Sequence, residues 1–282
     1  MKERSLVAFT LLAQMAVGAL WVAGVFELWG IYPDGTDLVS LGVPLLMVLG
    51  LLASFLHLGA PLNAWRALSN VRSSWLSREI LFSTLFTGAS GMAVVLKGFE
   101  LGSAAVHDAI LWATALLGLG LIFSMSRAYQ LRTVPAWSTP LTPLSFFTTT
   151  LLLGGLAVGV MVVFDPGVSA ESVRSALRWI AGGGVVLWGV QLALVRLWIA
   201  RLTGEQGAAA RAADRLVREH GSIFRLRLVL AILSLAAAAI VLLPWGTGAM
   251  AKVAIIAAFV LALVSDVLGR VLFYEAQVRY GV

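Results

Sequence analysis

No cysteine occurs among the 282 residues, which excludes disulfides, thiolate nucleophiles and iron–sulfur clusters bound by this chain. Charge is scarce as well. Asp, Glu, Lys and Arg make up 12% of residues against 60% apolar, and the mean hydropathy is +0.95. Such a ratio leaves no surface for a soluble domain and reads as a mostly helical integral membrane protein. Histidine is limited to His57, His107 and His220. A b-type haem in a helical bundle wants two axial histidines on facing helices at one depth. His57 ends an apolar run, His107 lies at the opposite face and His220 sits in an arginine-rich loop, so no haem is expected. Proline-rich, serine-rich and low-complexity linkers are also missing.

What is present is a series of apolar runs of about the 20 residues that a spanning helix needs. They lie near 6–28, 39–57, 79–97, 107–129, 142–164, 177–199, 224–243 and 249–272. The expected fold is all-α and integral to the membrane, with eight transmembrane helices. One polytopic domain covers 1–282, arranged as two four-helix bundles, about 1–132 and 141–282. Their junction near Arg132–Leu141 carries Pro135 and Pro140, with Pro143 just beyond, which interrupt helix continuity. The first run is too long for a signal-peptide core and lacks a clear small-residue cleavage site, so it reads as a retained span. Only the connections 58–78 and 200–222 are long. Gly154-Gly155 and Gly182-Gly-Gly184 read as helix-packing glycines.

The net charge of +6 is sorted by membrane side, which separates it from a nucleic-acid signal. Sixteen of the twenty basic residues fall on the face that carries the termini, and only Lys97, Arg174, Arg178 and Lys252 on the other. The positive-inside rule places that face, with both termini, in the cytoplasm of a bacterial or archaeal inner membrane. A second reading remains open: arginines that dock an acidic partner would cluster in the same way.

The segment His57–Glu79 joins the second and third spans on that arginine-rich face. A quinol loses two protons and two electrons on oxidation, so its site needs hydrogen-bond partners for both ring oxygens and a proton acceptor poised near neutrality. His57 ends span 2, and Ser77 is placed to cap span 3 with Glu79 in its first turn. Consecutive spans run antiparallel, so the two groups can approach across the 21 residues between them. Pro61 stops the helix, and Leu62, Trp65, Leu68, Val71 and Trp75 then recur at roughly helical spacing, as in a short interfacial helix between spans 2 and 3. The candidate quinone-binding set is His57, Asn63, Arg66, Trp75, Ser77, Arg78 and Glu79, with His57 and Glu79 handling protons. Plainer roles stand beside these. His57 can be a structural histidine, Glu79 can pair with Arg78, the arginines can set topology, and Trp65 and Trp75 suit an aromatic belt. A transporter is the alternative class, but its expected midspan charges are missing: Gln14, Gln191 and Asp266 look scattered and the other charges crowd the span ends.

Three segments together resemble the anchor subunits of dimethyl-sulfoxide-reductase-type molybdoenzymes. These are His57-Leu-Gly-x-Pro61 through Ser74-Trp-Leu-Ser-Arg-Glu79, Tyr129-x-Leu-Arg-Thr-Val-Pro135-Ala-Trp137 through Phe146, and Gly269-Arg270-x-Leu-Phe273-Tyr274. With the eight spans, the resemblance extends over nearly the whole sequence. It implies a haem-free subunit that exchanges electrons between a quinone, menaquinone in classical members, and a ferredoxin-like four-cluster iron–sulfur subunit. That subunit in turn serves a molybdopterin catalytic subunit. Iron–sulfur clusters and molybdopterin would then belong to partners, and His57 and Glu79 would line the quinone site. Classical members carry the catalytic module in the periplasm, whereas a sulfite-oxidising branch carries it in the cytoplasm, and the sequence leaves that choice open.

The charge pattern makes a topological prediction. Reporter fusions at either terminus, or within 200–222, should score as cytoplasmic, because seven arginines in 196–227 face only Glu205, Asp214 and Glu219. Strong periplasmic activity of a C-terminal reporter would assign the arginines to partner docking instead.

Overall fold

A computed structural model of the protein describes residues 2–31, 37–55, 66 and 68–278. Nine α-helices occur among them: α1 Lys2–Leu28, α2 Asp37–Phe55, α3 Trp75–Gly98, α4 Ala104–Ala128, α5 Leu141–Phe164, α6 Ala170–Gly204, α7 Ala208–Asp214, α8 Gly221–Leu242 and α9 Gly248–Glu275. All but α7 are long and apolar enough to cross a membrane, matching the eight expected spans. The local signals are ordinary ones. Asp37 lies in the first turn of α2, and Ser169 caps α6 by accepting from the Ser172 backbone N–H at 3.1 Å. The proline-bearing segment between α4 and α5 forms turns.

The stretch 200–222 departs from the expected open connection. Helix α6 continues to Gly204, α7 follows, and Arg215–Glu219 forms a π-helical turn. Ala-rich sequence favours helix, and Ala208, Ala209, Ala212, Ala213 and Leu216 provide one buried face. The i,i+4 pairs Asp214–Arg218 and Arg215–Glu219 line the exposed face. Most of the expected interfacial helix, including His57, Asn63 and Trp65, lies outside the described residues; Leu68–Asn70 forms a 3-10 turn.

Helix α5 is the most enclosed span, packing against α1, α6 and α9. The other close pairs are α1 with α2, α3 with α4, and α8 with α6 and α9. In a bilayer such contacts rest on close van der Waals fit, which small residues permit. Gly18 of α1 and Gly154 of α5 meet backbone to backbone: a Cβ on Gly18 would strike the Thr150 carbonyl, and one on Gly154 would strike Gly18. Gly182, Gly183 and Gly184 do not pack in this way, since a Cβ on any of them would meet nothing within 4 Å, and α6 runs through them unbroken. Gly154→Val should therefore separate α1 from α5 and lower the thermal stability of the purified protein in detergent. Gly183→Ala should leave that stability unchanged or raise it slightly.

Candidate functional site

The candidate residues that open α3 are held by local chemistry. Ser74, in extended conformation, is the N-cap and accepts from the Ser77 N–H at 3.3 Å, so the cap is Ser74 rather than Ser77. The helix consequently starts at Trp75, and Glu79 sits in its second turn, not its first. Arg78 turns back on the preceding loop. Its Nε donates to the Val71 carbonyl and its Nη2 to the Arg72 carbonyl, both at 2.8 Å, and its guanidinium lies 4.1 Å from the Trp75 ring. Arg127 at the end of α4 lies 5.4 Å from the same ring, and Phe123 meets it edge-on. Trp75 thus serves as a cation platform. Among the described residues no ion pair joins Arg78 to Glu79. Arg66 is exposed, whereas Ser77 and Glu79 are each only 4% exposed.

Glu79 leads inward. Burial, the neighbouring Tyr274 phenol and the Glu79 charge push the Tyr129 hydroxyl well above its ordinary range, so Tyr129 remains a protonated phenol. Its oxygen lies 2.7 Å from that of Tyr274, joining the start of the α4–α5 connection to the end of α9. Trp137 Nε1 donates to the Phe273 carbonyl at 2.6 Å, one of the last carbonyls of α9 and without a partner inside the helix. The Trp137 and Phe273 rings stack at 5.2 Å, and Trp198 of α6 donates to the Ala136 carbonyl at 2.8 Å. Two segments singled out separately in the sequence, around Tyr129–Trp137 and Gly269–Tyr274, are therefore one aromatic assembly.

Arg270 continues the network below it. This buried guanidinium lies 3.7 Å from the Phe146 ring centroid and donates to Gln14 Oε1 at 2.7 Å. Gln14 Nε2 in turn donates to the Phe146 carbonyl at 2.7 Å, so α1, α5 and α9 meet at one cation. Farther in, Gln191 Nε2 donates to Asp266 Oδ1 at 2.6 Å, and Arg227 fits over Gly269, where a Cβ would come within 2.7 Å of its guanidinium carbon. Gln14, Gln191 and Asp266 are thus not scattered, and Arg227, Asp266 and Arg270 lie buried within their helices rather than crowding the span ends. A sequence signal existed for Asp266 and Arg270: four residues apart, they share one helix face. Their partners come from other helices and carry no such mark.

The two other histidines sit apart from this network. His107 lies in the first turn of α4 at the opposite face, and His220 Nε2 is 3.5 Å from a Glu275 carboxylate oxygen. Tyr129, Tyr274, Arg270, Gln14, Gln191 and Asp266 were absent from the candidate set and are the structure's additions to it.

Comparison with known proteins follows the same outline. The family model of the DMSO reductase anchor subunit (DmsC) matches residues 1–276. The C chain of the anaerobic dimethyl sulfoxide reductase of Escherichia coli is 30% identical over 291 aligned residues, which span 99% of the present sequence and 96% of that relative. The YnfH chain of an anaerobic dimethyl sulfoxide reductase of the same organism is 32% identical over 292, with the same coverage. The C subunit of the sulfite dehydrogenase of Allochromatium vinosum is 36% identical over 135 residues, 44% of the present sequence and 40% of that relative.

The Arg270 contacts generate a stability prediction. Arg270→Met leaves Gln14 Oε1 without its donor in a buried site and should destabilise the protein by about 1–3 kcal/mol. Arg270→Lys keeps the charge but loses the flat stack on Phe146, and should fall between wild type and Arg270→Met. Thermal unfolding in detergent ranks the three.

Proposed function

The protein belongs to the DMSO reductase anchor subunit family, and from that premise we propose that it exchanges electrons between a membrane quinone and an iron–sulfur partner subunit, with Glu79 handling protons at the quinone. The coarser part follows from membership: this is a multi-pass membrane anchor of an oxidoreductase complex whose catalytic and iron–sulfur subunits are separate polypeptides. The partners we propose are a ferredoxin-like four-cluster subunit and a molybdopterin catalytic subunit, docked on the arginine-rich face.

The observation that carries the quinone reading is the burial of Glu79 beside the Tyr129–Tyr274 hydroxyl pair. Quinol oxidation yields quinone, two protons and two electrons. The electrons leave to the partner, because this protein has no cysteine to hold a cluster. The protons need an acceptor, which a carboxylate supplies, and the ring oxygens need donors, which a phenol kept protonated supplies. Arg270 lies in the same network, where its fixed positive charge moderates the negative charge that a deprotonating quinol develops. His57 and Asn63, outside the described residues, complete the proposed site, and Trp75, Ser77 and Arg78 shape its rim. The same groups run in reverse if the physiological direction is quinone reduction. By the positive-inside rule the arginine-rich face, and with it the partner subunits, belongs in the cytoplasm of the inner membrane.

Two substitutions test the site. Glu79→Gln keeps the shape and loses the proton acceptor, and should slow quinol oxidation by the assembled complex roughly 10²-fold or more. Tyr129→Phe removes only a hydrogen-bond donor and should have the smaller effect. Rates are read as electrons delivered to the partner's clusters from a quinol analogue, normalised to assembled complex. A Glu79→Gln rate equal to wild type would remove Glu79 from the site.

A further inference from the structure

Arg227 is a buried cation that nothing in the protein neutralises directly. It stands six residues from Gly221, the first residue of α8, roughly 9 Å inside the arginine-rich end. Its guanidinium lies against the Gly269 backbone of α9. The residue is 8% exposed, yet among the described residues its nitrogens make no hydrogen bond and no ion pair. Charged side chains inside a membrane protein are costly, and ordinarily pair or line a polar space. Arg227 borders such a space, a cavity of about 60 Å³ between α5, α6, α8 and α9, and its nitrogens keep surface open to a molecule the size of water.

The unpaired groups that remain open in this wall are donors. Ser145 of α5 is half-buried, and its hydroxyl has no hydrogen-bond partner and is not sealed off. Arg270 gives Nη2 to Gln14, and its Nε and Nη1 have no acceptor. The two unpaired acceptors nearby, Asp266 Oδ2 and Gln191 Oε1, are closed even to water and meet no ligand. Two guanidinium groups therefore share one carboxyl, Asp266, which pairs with Gln191 and with neither arginine. A surplus positive charge in a low-dielectric setting favours an anion, and open donors favour one rich in oxygen. One water needs roughly 10–15 Å³, so the cavity holds about four, or the oxygens of one phosphate group. It is far below the roughly 300–1,000 Å³ that a pocket for a larger molecule such as a quinone requires.

We propose that this cavity binds the phosphate of an anionic phospholipid, with Arg227 as the principal donor and Ser145 and Arg270 beside it. The depth suits a headgroup. Arg270 stands five residues before Glu275, the last residue of α9, roughly 8 Å from that end, and Arg227 is at a similar depth in α8. Each headgroup layer is about 5–8 Å thick, so both groups reach the boundary between headgroups and hydrocarbon. The surroundings favour a lipid over a soluble phosphate. Val195 and Trp198 of α6 are half-buried in the cavity wall, and Leu144 of α5 and Leu197 of α6 are 53% and 55% exposed, which gives acyl chains apolar helix surface to lie on. The site does not rest on the quinone reading, and Arg227 lies outside the groups assigned to it.

Native mass spectrometry and thermal unfolding of the full-length protein in detergent test this. Dioleoylphosphatidylglycerol, dioleoylglycerol, inorganic phosphate and a menaquinone analogue are added separately. Wild type should retain one phosphatidylglycerol and unfold at a higher temperature in its presence, while dioleoylglycerol, with the same tails and no phosphate, does neither. Arg227→Gln should weaken phosphatidylglycerol binding roughly tenfold or more, since a charge-assisted bond is lost. Ser145→Ala, a small change at a half-buried hydroxyl, should weaken it roughly two- to tenfold. Arg218→Gln, on the exposed arginine-rich face, should bind as wild type does. Unchanged binding in Arg227→Gln, or an equal loss in Arg218→Gln, overturns the proposal. Protection by inorganic phosphate equal to that by the lipid overturns the lipid occupant, and displacement of the lipid by the menaquinone analogue makes the cavity a quinone pocket instead. If Arg227→Gln does not fold, Ser145→Ala decides, and wild-type affinity there overturns the site.

Discussion

A guanidinium buried inside a membrane protein governs this arrangement. Taking Arg270 out of water is costly unless every face of the group finds a partner. Here the partners are Gln14 from α1, the Phe146 ring from α5 and, at 5.9 Å, the Phe273 ring from its own helix. A cation over an aromatic face in a desolvated site contributes ~2 kcal/mol or more, and the charge-assisted bond to Gln14 adds to it. Satisfying one side chain therefore requires three spans to meet at one depth. Gly18 and Gly154 permit it, because they let α1 and α5 approach to backbone contact close by.

The same constraint orders the residues above Arg270. The end of α9 leaves its last carbonyls without partners inside the helix. Trp137 satisfies that of Phe273 and stacks on its ring, while the Tyr129 and Tyr274 hydroxyls pair. The irregular segment between α4 and α5 is thereby packed tightly at the end of α9, and non-helical backbone near membrane depth is tolerated where protein encloses it. The proposed site rests on this frame. Glu79 enters from α3 beside the two phenols, and the polar network continues inward to Asp266 and Gln191.

Much of the architecture was legible in the amino-acid order itself. Eight apolar runs of spanning length became eight long helices, because in lipid a backbone must satisfy its own hydrogen bonds and helices do so locally. The resemblance carried by His57–Glu79, Tyr129–Phe146 and Gly269–Tyr274 pointed to the family that the comparisons show. The errors were local or relational. Ser74 caps α3 in place of Ser77, since capping depends on which serine adopts the extended conformation. Ala208–Asp214 is helical, since alanine-rich sequence folds once neighbouring helices bury one face.

What the sequence by itself determined was which segments cross the membrane, which face carries the arginines and where a carboxyl stands at a span end. Those properties follow from composition along one dimension. Tertiary structure alone decided that Gln14 belongs with Arg270, Gln191 with Asp266 and Tyr129 with Tyr274, residues separated by 256, 75 and 145 positions. A hydrogen bond is set by distance and angle between atoms, and packing of non-consecutive helices fixes those quantities while the order of residues along the polypeptide does not.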